Sequence, residues 1–393
     1  MGSNYKSNLW KIYLFKFLAG LHFFSAVLIP FFTDWGKISF TQIMILQSWF
    51  MMCVFILEVP TGAIADYIGR KYSLILAAVT GAAASIVYVS SPNFYIFMIA
   101  EFLFAISAAL ISGADEAFVY DTLKKIKQEN LSKKIFGRIE SFNLAGILIA
   151  APIGSIIAVQ FGLSVPMLLF AVPSVLAAII GLTLNEPQTT KKIESKRYIL
   201  ILKSGINSLR NNKTLRILAV DAVVISALAY LLIWLYQPML IKAGMGIGYF
   251  GIIHASFVIS EILILNNFEK LERLLGSKKR LTFFSAMIVG IMYIIGGLTT
   301  FIPVVILIII IAGGFGLTRG TLLSSYMNKY ISSEERATTL SSISMLRRFL
   351  IAAINPLIGF MVDWSLGTTL IIIGVITIIF SLFSRIKEEH LID

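Results

Sequence analysis

Gly62-Ala-Ile-Ala-Asp66-Tyr-Ile-Gly69-Arg70-Lys71 stands between two long apolar runs and decides how the chain is read. Two glycines, a carboxylate and a basic pair in so short a stretch make a tight, positively charged connection. Such a connection turns the chain sharply and belongs at a bilayer surface, where anionic head groups favour lysine and arginine. The fold then depends on whether the rest of the chain supplies membrane-length segments in step with it.

Hydrophobic residues make up 58% of the 393 and charged residues 14%. Mean hydropathy is +0.87, far from the composition of a soluble domain. Apolar runs of about 20 residues, enough to cross hydrocarbon, recur from end to end. Backbone groups in hydrocarbon must pair internally, and runs this continuous suit helices rather than barrel strands. Twelve spans are predicted, at 11–33, 40–66, 72–90, 94–123, 135–161, 164–184, 214–240, 247–268, 281–300, 303–329, 336–362 and 366–384.

Threading the chain through these spans puts 27 of its 33 lysines and arginines on one side. Only Lys37 and Lys242 fall on the other, while Lys16, Arg319, Arg347 and Arg348 lie within spans. The positive-inside rule then predicts a multi-pass plasma-membrane protein with both termini in the cytoplasm. The net charge of +12 is accounted for by that cytoplasmic surface and implies no nucleic acid. The single cysteine, Cys53, sits in an apolar span, which rules out a disulfide framework, and no metal or cofactor site is expected. The start, Met1-Gly-Ser-Asn-Tyr-Lys6, matches neither a signal-peptide cleavage site nor a myristoylation site.

The longest polar interval, 185–213, separates an N-terminal group of six spans over 1–184 from a C-terminal group of six over 214–393. Its basic residues between Lys191 and Arg210, with Ile206 and Leu209 on an apolar side, predict an amphipathic helix lying on the cytoplasmic face. The third, sixth, ninth and twelfth spans carry no Asp, Glu, Lys, Arg or His; each of the others carries at least one. Intramembrane charges face a bundle interior or a water-filled cavity. Every third span therefore reads as lipid-facing scaffold, the period that nested three-helix repeats produce. The expected architecture is all-α, with 12 transmembrane helices in two pseudo-symmetric six-helix bundles that suffice as a monomer.

The pattern Gly-x-x-x-Asp-x-x-Gly-Arg-Lys from Gly62 to Lys71 resembles the loop between helices 2 and 3 of the major facilitator superfamily of secondary transporters. Tyr67 stands where that family often has Arg. Lys278-Lys279 after Gly276 resembles a degraded second copy. Ser333-Glu334-Glu335-Arg336-Ala337, followed by Asn355-Pro356 and Asp363, is also similar to family members. Gly146 and Ala151-Pro152-Ile-Gly154 resemble the glycine-proline motif of proton-coupled drug exporters, with Ala151 where glycine is expected. Glu101 stands where such exporters carry Arg.

The resemblance implies two bundles that alternate between inward- and outward-open states around a centre lined by helices 1, 4, 7 and 10. It also implies a cytoplasmic latch formed by the loop residues Gly62, Asp66, Gly69, Arg70 and Lys71. In that latch Asp66 sits at the N-terminus of helix 11, near Glu335 and Arg336, where exposed amides favour an anion. Arg70 pairs with a carboxylate at the end of helix 4, for which Asp121 is the candidate.

Glu58 lies about eight residues inside its span, roughly 12 Å deep at about 1.5 Å per residue. With Glu101, Asp115 and Glu116 it forms the set of candidates for picking up and releasing a coupling proton. Glu116 and Tyr120, four apart, share a helix face, whereas Asp115 points away. Arg319, at a depth comparable to Glu116, is expected to face Glu116 or Asp115 across the central pathway; pairing inside its own bundle is the alternative. Asp221, Tyr230, Trp234 and His22 are candidates for the substrate pathway, although a lone histidine such as His22 or His254 also serves as a packing residue. Arg347 and Arg348 call for a carboxylate, Glu140 or Glu261, or for an anionic substrate. Lys11 and Lys16 are expected only to snorkel.

The expected function is secondary active transport of a small molecule coupled to protons, with efflux of amphiphilic compounds favoured. Proton- or sodium-coupled uptake of a polar or anionic metabolite is the alternative. An enzyme would show a nucleophile or metal constellation, and direct use of ATP would show a Gly-x-x-x-x-Gly-Lys loop. The sequence contains neither.

Overall fold

A backbone deprived of water pairs with itself, and the apolar runs accordingly fold as helices. The computed structural model describes residues 2–187, 198–332 and 335–392. The protein is 87% helix, with no strand among the described residues. Among the described residues, ten helical stretches are long and apolar enough to cross a membrane. The chain forms two compact units, 1–196 with 247–255, and 197–246 with 256–393.

The first unit holds α1 (Gly2–Ala19), α2 (Phe40–Ile68), α3 (Arg70–Ser90), α4 (Phe94–Ile111), α5 (Ala114–Lys125), α6 (Ser132–Phe161) and α7 (Val165–Leu182). After α1 the chain leaves helix over residues 20–24 and resumes in short turns that end with a π-helical turn at Phe31–Trp35. α6 crosses that break at backbone contact. A Cβ on Gly146 would lie 2.5 Å from the Phe17 carbonyl oxygen, and one on Gly154 would overlap the Phe23 carbonyl. The glycines of the exporter-like motif are thus the positions where two backbones touch. Gly251 packs in the same way on the backbone of Ala151 and Pro152, which is why segment 247–255 belongs to this unit.

Two turns in this unit differ from the sequence expectation. α2 runs through Ile68, two residues past the expected end of the second span at 66, and the turn is confined to Gly69 at φ 119°. That left-handed value suits glycine and penalises any side chain. The fourth span is broken at Gly113, φ 74°, so α5 starts one residue later. Asp115 and Glu116 therefore occupy the first turn of a helix, where free amides and the helix dipole favour carboxylates. The Asp115 carboxylate accepts the Glu116 N–H at 2.8 Å.

The second unit holds α8 (Tyr198–Asn211), α9 (Lys213–Tyr230), α10 (Leu232–Lys242), the later part of α11 (Phe250–Asn266), α12 (Phe268–Leu275), α13 (Lys278–Leu298), α14 (Ile302–Met327) and α15 (Arg336–Leu382). α15 is 47 residues long and contains one non-helical residue, Ser365 (φ −163°, ψ 109°), so two helices meet at a kink. α14 packs through its glycines: a Cβ on Gly313 would overlap the Phe257 ring, and one on Gly316 would come 2.8 Å from Ala229.

The amphipathic segment forms α8, and of its apolar side Ile206 is exposed while Leu209 is buried within the unit. Leu209 is buried in a core with Leu215, Leu218 and Leu323, and Gly205 lies against Ser342 of α15. Burial against the unit's own helices removes the same apolar surface from water and adds close packing. The basic residues Lys191, Lys192 and Lys196, like Ser333 and Glu334, lie outside the described residues.

Candidate functional site

At the start of α3, Glu186 caps the free end of the helix. The backbone N–H groups of Arg70 and Lys71 donate to its two carboxylate oxygens at 2.9 and 2.7 Å. A Cβ on Gly69 would come 3.2 Å from the Glu186 carboxylate carbon, so the glycine supplies both the turn and the room. The Arg70 guanidinium donates to the Ala117 carbonyl at 2.8 Å and forms an ion pair with Asp121. Asp66, half-buried, adds its charge to the same cluster.

The second unit repeats this arrangement. Gly276, φ 79°, precedes α13, and the N–H groups of Lys278 and Lys279 donate to Glu388 at 3.0 and 2.9 Å. Sequence reading missed both carboxylates; the available signal was that each follows an apolar span within a few residues.

Partial burial pushes the Glu388 carboxyl up, but the amides of Lys279 and Lys278, the Ser277 hydroxyl and the Lys278 charge together hold it below the ordinary carboxylate value. A carboxyl lowered on folding stabilises above its unfolded value, and that stability is lost as the pH falls through the folded one. The melting temperature is therefore expected to drop below about pH 4.3, and less steeply in Glu388→Gln. Parallel pH profiles for the two proteins would remove the cap from the account.

Within each unit an ion pair joins the first helix to the helix of the fourth membrane segment, with the signs exchanged. Lys16 of α1 reaches Asp115 of α5 at 2.8 Å. Asp221 of α9 is paired with Arg319 of α14, whose guanidinium also donates to the Thr282 carbonyl and, at 2.6 Å, to the Ser285 hydroxyl. The other Asp221 oxygen accepts the Ser384 hydroxyl at 2.8 Å. The Asp221 and Arg319 side chains are 6% and 2% exposed.

Two expectations are corrected here. Arg319 finds its acid inside its own unit rather than in Glu116 or Asp115, because three acceptors there match its forked donors. Lys16 does not merely snorkel: Asp115 lies within its reach. Glu116 and Tyr120 are exposed.

Glu101 of α4 is buried in the first unit. It accepts from the Gln47 side-chain amide at 2.8 Å and from the Tyr88 hydroxyl. Around it the break after α1 gathers aromatics, with Phe97 5.6 Å from Tyr88 and 5.5 Å from Phe32 by ring centroid. Among the described residues of this unit no cation pairs with Glu101. A carboxylate held by two neutral donors has no counter-ion, the arrangement expected of a group that binds and releases a proton.

The second unit contains a cavity of about 470 Å³ among α9, α14 and α15, where Thr321, Ser324, Ser325, Ser344, Asn328 and Arg347 meet the apolar Ala222, Val223, Leu317, Met327, Leu340 and Ile343. Gly320 gives the Arg347 guanidinium its room, since a Cβ there would come 3.3 Å from Nη1. Among the described residues of this unit Arg347 has no carboxylate partner, and Glu261 is half-buried on α11. Arg347 is therefore a half-buried cation in a cavity of mixed polar and apolar lining.

The remaining candidates are dispersed. Glu58 is half-buried in α2, and Arg348 in α15. Glu140 lies 3.5 Å from the Asn143 amide in the first unit. His22 sits at the break after α1, 5.5 Å from the Phe24 ring and 5.2 Å from Phe170, a packing position. Trp234 is buried and Tyr230 half-buried, and neither lines the cavity. Gly62 is exposed inside α2, with no atom within 4 Å of an added Cβ. Glu335 and Arg336 are exposed at the start of α15, and Arg336 donates to the Asn328 carbonyl at 3.4 Å.

A sequence profile described as Major Facilitator Superfamily matches residues 12–356. No curated protein matches the chain by sequence. Among solved structures, the nucleoside transporter NupG is similar at a TM-score of 0.79 and 15% identity, covering 95% of this chain and 97% of that one. A POT family transporter in complex with a thioalcohol-conjugated peptide gives 0.73 and 15%, covering 95% and 94%. A bacterial homolog of the human lysosomal transporter Spinster, inward-facing and occupied, gives 0.73 and 15%, covering 99% of each chain. At such identities the likeness is one of fold alone.

Proposed function

Because the chain belongs to the major facilitator superfamily, we propose that it is a proton-coupled secondary transporter of a small anionic solute, working by alternating access. The ten membrane-length stretches become twelve spans when α15 counts as two helices about Ser365 and α1 is joined to the turns ending at Trp35. Those spans carry the positive-inside pattern that sets both termini in the cytoplasm.

The observation that carries the substrate class is the cavity with Arg347. A cation in such a cavity, with Thr321, Ser324, Ser325 and Ser344 also in its wall, favours a carboxylate or phosphate, because charge-assisted hydrogen bonds are the strong ones. We place the anionic reading ahead of export of amphiphiles because of this one cation, although the apolar part of the lining suits an amphiphile as well. The exporter-like glycines that suggested export are accounted for by backbone contact at the break after α1.

Glu101 is the proton carrier in this reading. Asp115 is engaged by Lys16 and Glu116 is exposed, so neither is the first choice. The cluster of Asp66, Arg70, Asp121 and Glu186 forms the cytoplasmic latch. Proteoliposomes with an imposed pH gradient test the proposal against a panel of labelled carboxylates, phosphates and neutral nucleosides. Gradient-driven accumulation of an anion is expected, and Glu101→Gln should abolish it while leaving counterflow exchange intact. Accumulation driven by sodium alone, or of neutral solutes only, would overturn the reading.

A further inference from the structure

At the end of α9 that carries Lys213 and Arg216, a slot of about 460 Å³ is lined by Ile217, Val220, Phe380 and Phe383 together with Arg216 and Arg385. It shares Ile217, Ser384 and Arg385 with a second hollow of about 490 Å³, whose walls add Lys213, Lys279 and Lys387. The two differ in chemistry. The slot exposes large apolar side chains, Phe383 at 78% and Val220 at 53%. The hollow concentrates four lysines and arginines against one carboxylate, Glu389, which Lys387 already engages at 3.2 Å with His390 at 3.9 Å. Asp221, at the inner wall of the slot, is paired with Arg319. Among the described residues neither Arg216 nor Arg385 is in an ion pair.

We infer that this double hollow is a binding site for one anionic phospholipid, its head group on Arg216, Arg385, Lys213 and Lys279 and an acyl chain against Phe380 and Phe383. Charge complementarity selects the occupant. A free anion would leave the phenylalanines facing nothing, and a zwitterionic lipid would leave the basic cluster uncompensated. Basic pockets between membrane helices at the head-group level suit such lipids. The site also touches the buried network, since Ser384 belongs to both hollows and donates to Asp221. An occupied site therefore holds the link between α9 and the end of α15.

The test uses the full chain, purified and delipidated in detergent, and titrated with phosphatidylglycerol or phosphatidylcholine of equal chain length, with bound lipid read by native mass spectrometry. The first phosphatidylglycerol is expected to bind at least about tenfold more tightly than phosphatidylcholine. Each basic residue near a head group is worth about 1 kcal/mol, or about fivefold, so Arg216→Gln/Arg385→Gln should weaken it roughly 30-fold. Lys124→Gln/Lys125→Gln, exposed in the first unit, should leave it unchanged, and Phe383→Ser should weaken both lipids. Should the double variant fail to stay monodisperse, Arg385→Gln alone carries the expected fivefold loss. Equal affinity for the two lipids, basic-site variants within twofold of wild type, or displacement by glycerol phosphate at equal concentration would overturn the assignment.

Discussion

Arg319→Met is expected to destabilise the purified protein by about 3–5 kcal/mol, the cost of leaving a buried charge without its partner. The substitution keeps most of the volume but strands the Asp221 carboxylate in a site only 6% exposed, with the Ser384 hydroxyl as its remaining donor. Asp221→Leu/Arg319→Met should recover most of the loss, because replacing both members of a buried pair by apolar groups is close to neutral. Recovery will be incomplete, since the Thr282 carbonyl and the Ser285 hydroxyl also lose the guanidinium. Thermal melts of the two single variants and the double in detergent measure the coupling. A double variant no more stable than Arg319→Met would show that the pair does not act as a unit.

Arg347→Gln is expected to raise the KM for the transported anion about 100-fold, corresponding to about 2.7 kcal/mol, within the range for a hydrogen bond to a charged group. The protein should melt near its wild-type temperature, because within its unit Arg347 holds no carboxylate that would be left stranded. Arg347→Lys should restore part of the affinity, since the charge returns without the forked geometry. Gly320→Ala should act in the same direction more weakly, by crowding the guanidinium, whose Nη1 lies 3.3 Å from the added carbon. Uptake of the labelled anion into proteoliposomes over a range of concentrations reads all three. Unchanged KM in Arg347→Gln would remove the cavity from the substrate pathway.

Much of the fold was legible because the bilayer constrains a chain so strongly. A run long enough to cross hydrocarbon must be helical, and the sidedness of lysine and arginine follows the threading. The Gly69-Arg70 turn and its basic residues were readable in the same way, whereas Asp121 as the partner of Arg70 came from the family resemblance. What misled was depth. Glu116 and Arg319 sit at similar distances from their helix ends, which suggested that they meet. Depth along a helix says nothing about which face a side chain takes or which neighbour is nearer.

Hydropathy and charge along this sequence determined the solvent and the helical class, and the glycines placed the turn before Arg70. Each of these depends on one segment and the bilayer, and needs no knowledge of neighbours. Only the tertiary structure decided which charges neutralise one another. Lys16 goes to Asp115, Arg319 to Asp221, and Glu186 and Glu388 to the first amides of α3 and α13. It also decided which groups are left over: Glu101 with two neutral donors, and Arg347 in a cavity of mixed lining without a carboxylate of its own unit. Ion pairing in a low dielectric acts over a few ångströms. Partners far apart in sequence therefore become partners only once the helices have packed.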